Sequence, residues 1–239
     1  MSWLRQWRRL VLLFLLYFAQ GLPFGFQKEL SSFLRRAGVP LQDIGFTRLL
    51  AVPWQLKFLW APFVDRFGSD RFGRRKSWII PMQLMLALTC VAAAFFPPEG
   101  SLVALFGLIV LMNLCAATQD IPVDGLAVDL LKGKDLGPAN IAQVVGYKAG
   151  MLFTAAVLVP LRPQIGWSGI LYAIAGILVV WAVGLLFWRE PPTDRSTVEK
   201  RKSMGLVLRE MVGSLRSRSS GLAALASTLG TRSARRSPA

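Results

Sequence analysis

Histidine is absent from the 239-residue sequence, cysteine occurs only twice, and acidic residues number 13 against 28 basic ones. A chain without histidine lacks the commonest metal ligand and the usual general base, so any proton relay must use carboxylates. The two cysteines, Cys90 and Cys115, lie inside apolar segments. We therefore expect packed thiols, no disulfide framework and no metal site.

Sequence motifs for nucleotide binding and covalent catalysis are also missing. The chain contains no phosphate-binding P-loop, no GxGxxG, no CxxC and no nucleophile elbow. These absences argue against an enzyme and against a bound cofactor. If the chain moves a solute across a membrane, gradients must drive the transport, because no motif for nucleotide hydrolysis is present.

The composition that remains is that of a membrane protein. Hydrophobic residues make up 54% of the chain and charged residues 17%, whereas soluble domains have about 45–50% and about 25%. A net charge of +15 would raise nucleic acid as a partner of a soluble chain. Here the cations lie between and after apolar runs, so we expect the lipid bilayer as the partner and no nucleic acid.

Six apolar runs are long enough to cross a bilayer as helices, since a spanning helix needs about 20 residues. They lie at about 9–27, 44–64, 78–96, 101–124, 141–161 and 165–188. The first run follows several arginines but has no small-residue cleavage site after it, so we interpret it as a span and not as a signal peptide. The predicted organisation is an N-terminal segment at 1–8, a six-helix bundle at 9–188 and a basic tail at 189–239.

Orientation is predicted from the distribution of lysine and arginine. Ten of these residues lie at the N-terminus and in the 65–77 and 125–140 loops, against four on the opposite side. Because cytoplasmic loops carry an excess of cations, we expect both termini to be cytoplasmic. The tail adds eleven more cations, and its composition predicts a disordered segment attracted to anionic lipid.

Several separated motifs resemble one branch of the major facilitator superfamily. The basic run at 70–76 is similar to the loop between the second and third helices of these transporters. Further segments resemble the branch that contains acetyl-CoA transporters and muropeptide permeases, namely 20–23, 55–65, 72–78, 119–125, 136–140 and 143–148. The resemblance covers about residues 8–210.

This resemblance implies an all-α polytopic membrane protein whose six helices form two inverted three-helix repeats, half of a major facilitator fold. It implies a small-molecule solute that is polar or anionic, with acetyl-CoA-like cargo as the most concrete case. Members of the family have twelve spans and this chain offers six, so we expect a truncated or variant product. The alternative is a non-transporting half, or a membrane scaffold, that pairs with a second half or a full-length copy.

The loop between the second and third spans is the expected cytoplasmic gate. In the family, its cations and carboxylate make contacts that hold the cytoplasmic face in one of two states. A two-state transporter needs such contacts to form in one state and break in the other. The resemblance assigns the gate to Asp65, Asp70, Arg71, Gly73, Arg74, Arg75 and Lys76.

Lys57 is the sharpest candidate for contact with a solute. It lies about thirteen residues into the second predicted helix, roughly 20 Å from the outer end. A cation at that depth costs at least about 2.5–3.5 kcal/mol, so it is expected to face a partner or a wet cavity. The alternative is a lysine whose ammonium group extends to the cytoplasmic interface.

Asp120 and Asp124 are four residues apart and share one face of the fourth predicted helix. Pro122 lies between them and is expected to open that helix. Two interpretations stay open at this stage. The carboxylates either form ion pairs with the basic residues of the gate or bind a proton or solute.

Lys148 lies between Gly146 and Gly150, a small-xxx-small spacing that lets another helix approach closely. We expect it to pair with one of the two carboxylates on the preceding helix, or to contact the solute directly. Gln20 and Gln27 are seven apart on one face of the first helix. They are the last two candidates for solute contact.

Overall fold

The computed structural model of the chain describes residues 2–36, 38, 40, 45–69, 71–97, 102–131 and 136–190. Helices and turns account for this part of the chain, and it contains no β-strand. The first helix, α1, spans Ser2–Arg36. The second membrane segment consists of a 3-10 turn at Phe46–Ala51, α2 at Val52–Leu56, a 3-10 turn at Lys57–Leu59 and α3 at Ala61–Arg66. The remaining helices are α4 at Lys76–Ala93, α5 at Leu102–Leu130, α6 at Leu136–Phe153 and α7 at Arg162–Phe187.

Five helices in these ranges are long and apolar enough to cross a bilayer. They are Gln6–Arg36, Lys76–Ala93, Leu102–Leu130, Gly137–Leu158 and Arg162–Phe187. Their outward faces carry large apolar side chains, including Val180 and Leu152, which is the pattern expected of a surface in contact with lipid. The prediction of an all-α, multi-pass membrane protein is confirmed.

The second predicted span, 44–64, is not one continuous helix. Pro53 and Pro62 each lie in the first turn of a new short helix, where the missing N–H costs nothing. The same prolines cannot donate to the preceding turn, so the helix restarts at each of them. The prediction of an unbroken span is therefore wrong here, and Lys57 lies in a 3-10 turn.

Several predicted loops are helical at their ends. Helix α1 continues to Arg36, so the connection between the first two predicted spans, 9–27 and 44–64, begins as helix. Helix α5 runs unbroken through Pro122 to Leu130, so the proline does not open it as predicted. The predicted basic tail is described only at its first two residues, and 191–239 lie outside the described ranges.

Helices α1 and α6 pack with their backbones in close approach. A Cβ atom added at Gly146 would lie 2.5 Å from the carbonyl oxygen of Phe14, and one at Gly25 would lie 2.7 Å from that of Met151. A Cβ at Gly150 would overlap the backbone of α1 in the same way. The small-xxx-small prediction is confirmed, and α1 is its partner.

Long-range hydrogen bonds show which helix ends lie together. Arg9 donates to the carbonyl of Leu130 at 2.9 Å, and Lys76 donates to that of Trp188 at 2.8 Å. The start of α1, the end of α5, the start of α4 and the end of α7 therefore share one end of the bundle, called here the loop end. At the opposite end, Trp167 donates to the carbonyl of Ala93 at 3.1 Å.

The buried apolar residues form two clusters along the bundle. One lies toward the opposite end and includes Phe26, Leu105 and Ile170, and the other lies toward the loop end and includes Leu13 and Leu126. On α5 the first cluster ends at Ala116 and the second begins at Val123, and the polar residues from 113 to 124 lie where the two clusters meet. This polar belt contains the candidate site.

Candidate functional site

Lys57 lies where the second membrane segment breaks, and it makes an ion pair with α5. Its Nζ is 2.5 Å from Asp120 Oδ2 and 4.0 Å from Asp124 Oδ2. The Lys57 side chain is 33% exposed, whereas that of Asp120 is 10% exposed. The pair thus joins a buried carboxylate to a cation that reaches the surface of the bundle.

The two carboxylates differ in how many donors hold them. Asp124 accepts a hydrogen bond from the hydroxyl of Tyr17 at 2.7 Å and from Nε2 of Gln143 at 3.1 Å. The hydrogen bond that Asp120 accepts in the described structure comes from Lys57. If Lys57 moved, Asp124 would keep two donors and Asp120 would lose its charged partner.

A line of polar contacts continues from Lys57 toward the opposite end. The Lys57 ammonium lies 5.6 Å from the ring centre of Trp54, whose indole donates to Asn113 Oδ1 at 3.0 Å. Asn113 in turn donates to Gln27 Oε1 at 2.9 Å. Gln27 on α1 is therefore held to α5 by a hydrogen bond between the two helices, at the end of this line.

Gln20 is fully buried, and neither atom of its side-chain amide has a hydrogen-bond partner in the described structure. The same holds for Gln119 on α5. Two bonds fix the register of the antiparallel pair α1 and α5, Tyr17 to Asp124 and Gln27 to Asn113. In that register Gln20 and Gln119 lie at the same level along the bundle as Asp120.

Arg75 is the centre of a second ionic cluster, at the loop end. Its guanidinium contacts Asp65 Oδ1, and its Nε lies 3.1 Å from Asp129 Oδ2. Burial opposes the charged form of Arg75, but the hydrogen bond to Asp65 and the charges of Asp129 and Asp65 outweigh it, and the pKa of Arg75 is raised. The predicted gate loop is thus tied both to α3 and to the end of α5.

Glu190 closes the same cluster from the end of α7. Its carboxylate accepts a hydrogen bond from the backbone N–H of Arg75, the cap residue of α4, at 3.1 Å. It accepts another from the backbone N–H of Lys76, the first residue of α4, at 2.9 Å. An anion at a helix N-terminus is favourable because the first N–H groups have no partner within the helix. Gly73 has a φ of +95°, and a Cβ there would lie 2.9 Å from Glu190 Cβ, so only glycine fits.

The remaining predicted gate residues have smaller roles in this structure. Arg74 is buried and donates to the backbone carbonyl of Asp65, whereas Arg71 is exposed. Asp70 lies outside the described residues. Asp120 and Asp124 pair with Lys57 and not with the described loop cations, so the ion pairs expected between the gate and these two carboxylates are not formed in this structure.

With this geometry established, the comparison with known proteins decides the family. The sequence profile described as Acetyl-coenzyme A transporter 1 matches residues 9–96 and 99–164, which is more than half of the chain. The chain belongs to this family. It is therefore an integral, multi-pass membrane protein of a transporter family, as its motifs predicted.

Individual proteins similar to this chain agree with the family assignment. The chain is 32% identical over 209 residues to the Anhydromuropeptide permease of Escherichia coli, covering 86% of this chain and 42% of the relative. It is 32% identical over 161 residues to an uncharacterized protein of Schizosaccharomyces pombe, covering 64% and 31%. It is 30% identical over 196 residues to Putative transporter AmpG 4 of Rickettsia conorii, covering 80% and 47%. The chain spans less than half the length of these relatives.

Lys148 does not form the ion pair that the sequence predicts. Its side chain is exposed, and Asp120 and Asp124 have other partners. The reason is geometric: Gly146 and Gly150 share the face of α6 that packs on α1, and a residue two positions from each points to the opposite side. Direct contact with a solute is the alternative that stays open for Lys148.

Sequence reasoning missed four residues that hold the Lys57 site and the Arg75 cluster. Tyr17 shares a helix face with Gln20 and Gln27, at i, i+3 and i+10, and this spacing could have placed it in the site. Gln143 lies seven residues into α6, and its spacing along the chain gives no indication of contact with Asp124. Asp129 and Glu190, the partners of Arg75, have no spacing signal, because each is more than fifty positions away.

Proposed function

We propose that the chain forms the amino-terminal half of a gradient-driven transporter for a small polar or anionic solute. Acetyl-CoA-like cargo is the most concrete case, since the family bears that name, and a muropeptide is the second, since the Escherichia coli relative is a permease for anhydromuropeptides by name. The observation that carries the proposal is the partly exposed Lys57, paired with a buried carboxylate inside an apolar bundle.

In this proposal Lys57 exchanges one negatively charged partner for another. A lysine within a membrane segment needs an opposite charge, and Asp120 supplies it when no solute is bound. A phosphate or carboxylate group of a solute would compete for the same ammonium group. Asp120 would then lose its partner and favour a proton, which couples solute binding to protonation.

The Arg75 cluster would act as the gate in this proposal. It joins α3, the start of α4, the end of α5 and the end of α7 through side-chain and backbone contacts at one end of the bundle. Opening that end requires some of these contacts to break. We propose that the loop end is cytoplasmic and that both termini lie on that side, because this end collects most of the loop cations.

Transport requires a second half, since major facilitator transporters bind their solutes between two halves. The chain spans 31–47% of the length of the relatives described above. We propose that the other half comes either from the rest of a longer product or from another copy. The run at 136–148 further supports a likeness to major facilitator superfamily domain-containing protein 3 within the family.

Reconstituted uptake tests the proposal. Labelled acetyl-CoA is supplied to proteoliposomes that contain the purified chain together with a second half, and Lys57→Ala is compared with Lys28→Ala, a substitution of an exposed lysine on α1. Loss of a charged hydrogen bond worth roughly 1.5–3 kcal/mol predicts a 10- to 100-fold fall for Lys57→Ala. Lys28→Ala should retain uptake. Equal uptake by both variants would contradict a role for Lys57 in solute contact.

A second candidate is a non-transporting half or scaffold that pairs with another copy. The observation that favours it is the apolar surface of the broken second segment, where Leu59 is 54% and Phe63 is 50% exposed. Such a half would show no uptake alone but would co-purify with a full-length copy. Deleting 193–239 distinguishes the scaffold form, since only a tail-based scaffold would lose its partner.

A further inference from the structure

An apolar groove lies between α1 and α7, away from the Lys57 site. Its volume is about 150 Å³, and an apolar cavity of that size holds a benzene-sized group. The lining residues are Leu12, Leu15, Leu16, Trp181, Gly184 and Leu185. They all lie in the halves of α1 and α7 that are nearer the loop end, so the groove is close to the edge of the apolar layer.

The two helices that line the groove each carry an arginine toward the loop end. Arg8 precedes Leu12 by four residues and Leu15 by seven, so the three share one face of α1. Its Cα is only about 6 Å from that of Leu12 along the helix axis. Arg189 follows directly after the end of α7. Both side chains are exposed, and neither forms an ion pair with another described residue.

We propose that this groove binds one anionic phospholipid, with an acyl chain against the leucines and the phosphate group between Arg8 and Arg189. Charge complementarity supports this occupant, because the apolar groove ends near two cations that form no ion pair with a described residue, and a lipid with a negative headgroup has the matching order of groups. An arginine guanidinium can donate two parallel hydrogen bonds to one phosphate group. This interaction favours a headgroup with a net negative charge over a neutral one. This site does not depend on the proposed transport function.

The groove can be filled without disturbing the bundle. A Cβ atom added at Gly184 would meet no described protein atom within 4 Å, and the same is true of Gly176 two turns earlier on α7. Gly184→Leu therefore places a side chain in the groove, whereas Gly176→Leu adds the same side chain elsewhere on the helix. The second variant controls for helix propensity and added surface.

Native mass spectrometry of the full chain in detergent tests the proposal with phosphatidylglycerol and phosphatidylcholine as probes. The wild-type chain and Gly176→Leu should each retain one phosphatidylglycerol, and Gly184→Leu should bind it about tenfold more weakly, because the acyl chain loses apolar contact. Arg8→Gln should reduce the preference for phosphatidylglycerol over phosphatidylcholine by severalfold and keep binding of the latter. Circular dichroism verifies that each variant retains its helices.

Three results would overturn this site. Equal phosphatidylglycerol binding by Gly184→Leu and Gly176→Leu would place the lipid elsewhere. An unchanged lipid preference in Arg8→Gln would remove the headgroup contact. A wild-type dimer that Gly184→Leu converts to monomer, without retained lipid in either, would show that a second copy of the chain covers the groove.

Discussion

The two ionic clusters of the bundle contain similar residues and differ in how they are held. Arg75 is 10% exposed and contacts two carboxylates, while its backbone and that of Lys76 are bound by Glu190. Lys57 is 33% exposed, and its close contact is a single carboxylate. One cation is enclosed by several chain segments, and the other is held by one buried partner at an accessible surface.

This difference separates a contact that stabilises the bundle from one that can exchange. Removing the Arg75 side chain removes the cation that Asp65 and Asp129 share. Removing Lys57 leaves Asp120, which can take up a proton instead. We therefore expect substitutions in the loop-end cluster to reduce stability first, and substitutions around Lys57 to reduce solute handling first.

The largest expected effect is on the stability of the Arg75 cluster. Arg75→Ala should lower the free energy of unfolding by about 2–3 kcal/mol, somewhat less than the ~3–5 kcal/mol typical of a fully buried pair, because Asp65 and Asp129 are partly exposed. Thermal unfolding in detergent measures this loss of stability. Arg71→Ala is the matched control and should change stability by less than about 0.5 kcal/mol. Similar losses in both variants would contradict the distinction.

Next in size is the effect of the two carboxylates on pH dependence. Because Lys57 is the charged partner of Asp120, whereas Asp124 keeps Tyr17 and Gln143, we expect Asp120 to be the better proton carrier. Asp120→Asn should abolish the pH dependence of uptake, and Asp124→Asn should lower the rate but keep its pH profile. Uptake measured from pH 5 to 8 gives the two profiles. The reverse outcome would make Asp124 the coupling group.

The smallest effect is expected from the tyrosine that positions Asp124. Tyr17→Phe removes one hydrogen bond and keeps the ring, so it should reduce stability by about 0.5–1.5 kcal/mol and uptake by severalfold. Because the ring stays in the core, the pH profile should be unchanged. A loss of pH dependence in Tyr17→Phe would show that the hydroxyl takes part in proton movement itself.

Much of the site could be predicted from local spacing alone. Asp120 and Asp124 share a face because they are four apart, and the glycines of α6 approach α1 for the same reason. These periodic features depend only on neighbours along the chain. Lys57 was also predictable, because an ionisable residue in an apolar run needs a partner.

The rest depends on contacts between distant segments, which no local pattern contains. Glu190 binds the start of α4 from 114 positions away, and its role follows only from the packing of α7. The break in the second segment depends on two prolines that sequence alone allows either in a kinked helix or at a new helix start. Lys148 was misplaced because its neighbours' spacing was considered without its own direction on the helix.

Simultaneous removal of both charges of the Lys57 pair is the most direct test of the central claim. In a purely structural ion pair, Lys57→Ala combined with Asp120→Ala removes the two closely paired charges together and leaves Asp124 with its hydrogen bonds from Tyr17 and Gln143, so uptake should return toward that of the wild type. If Lys57 instead contacts the solute, the double variant should fold as stably as the wild type and remain as inactive as Lys57→Ala. Reconstituted acetyl-CoA uptake by the double variant therefore decides between the two. We predict no recovery, and uptake restored to near the wild-type rate would contradict the account.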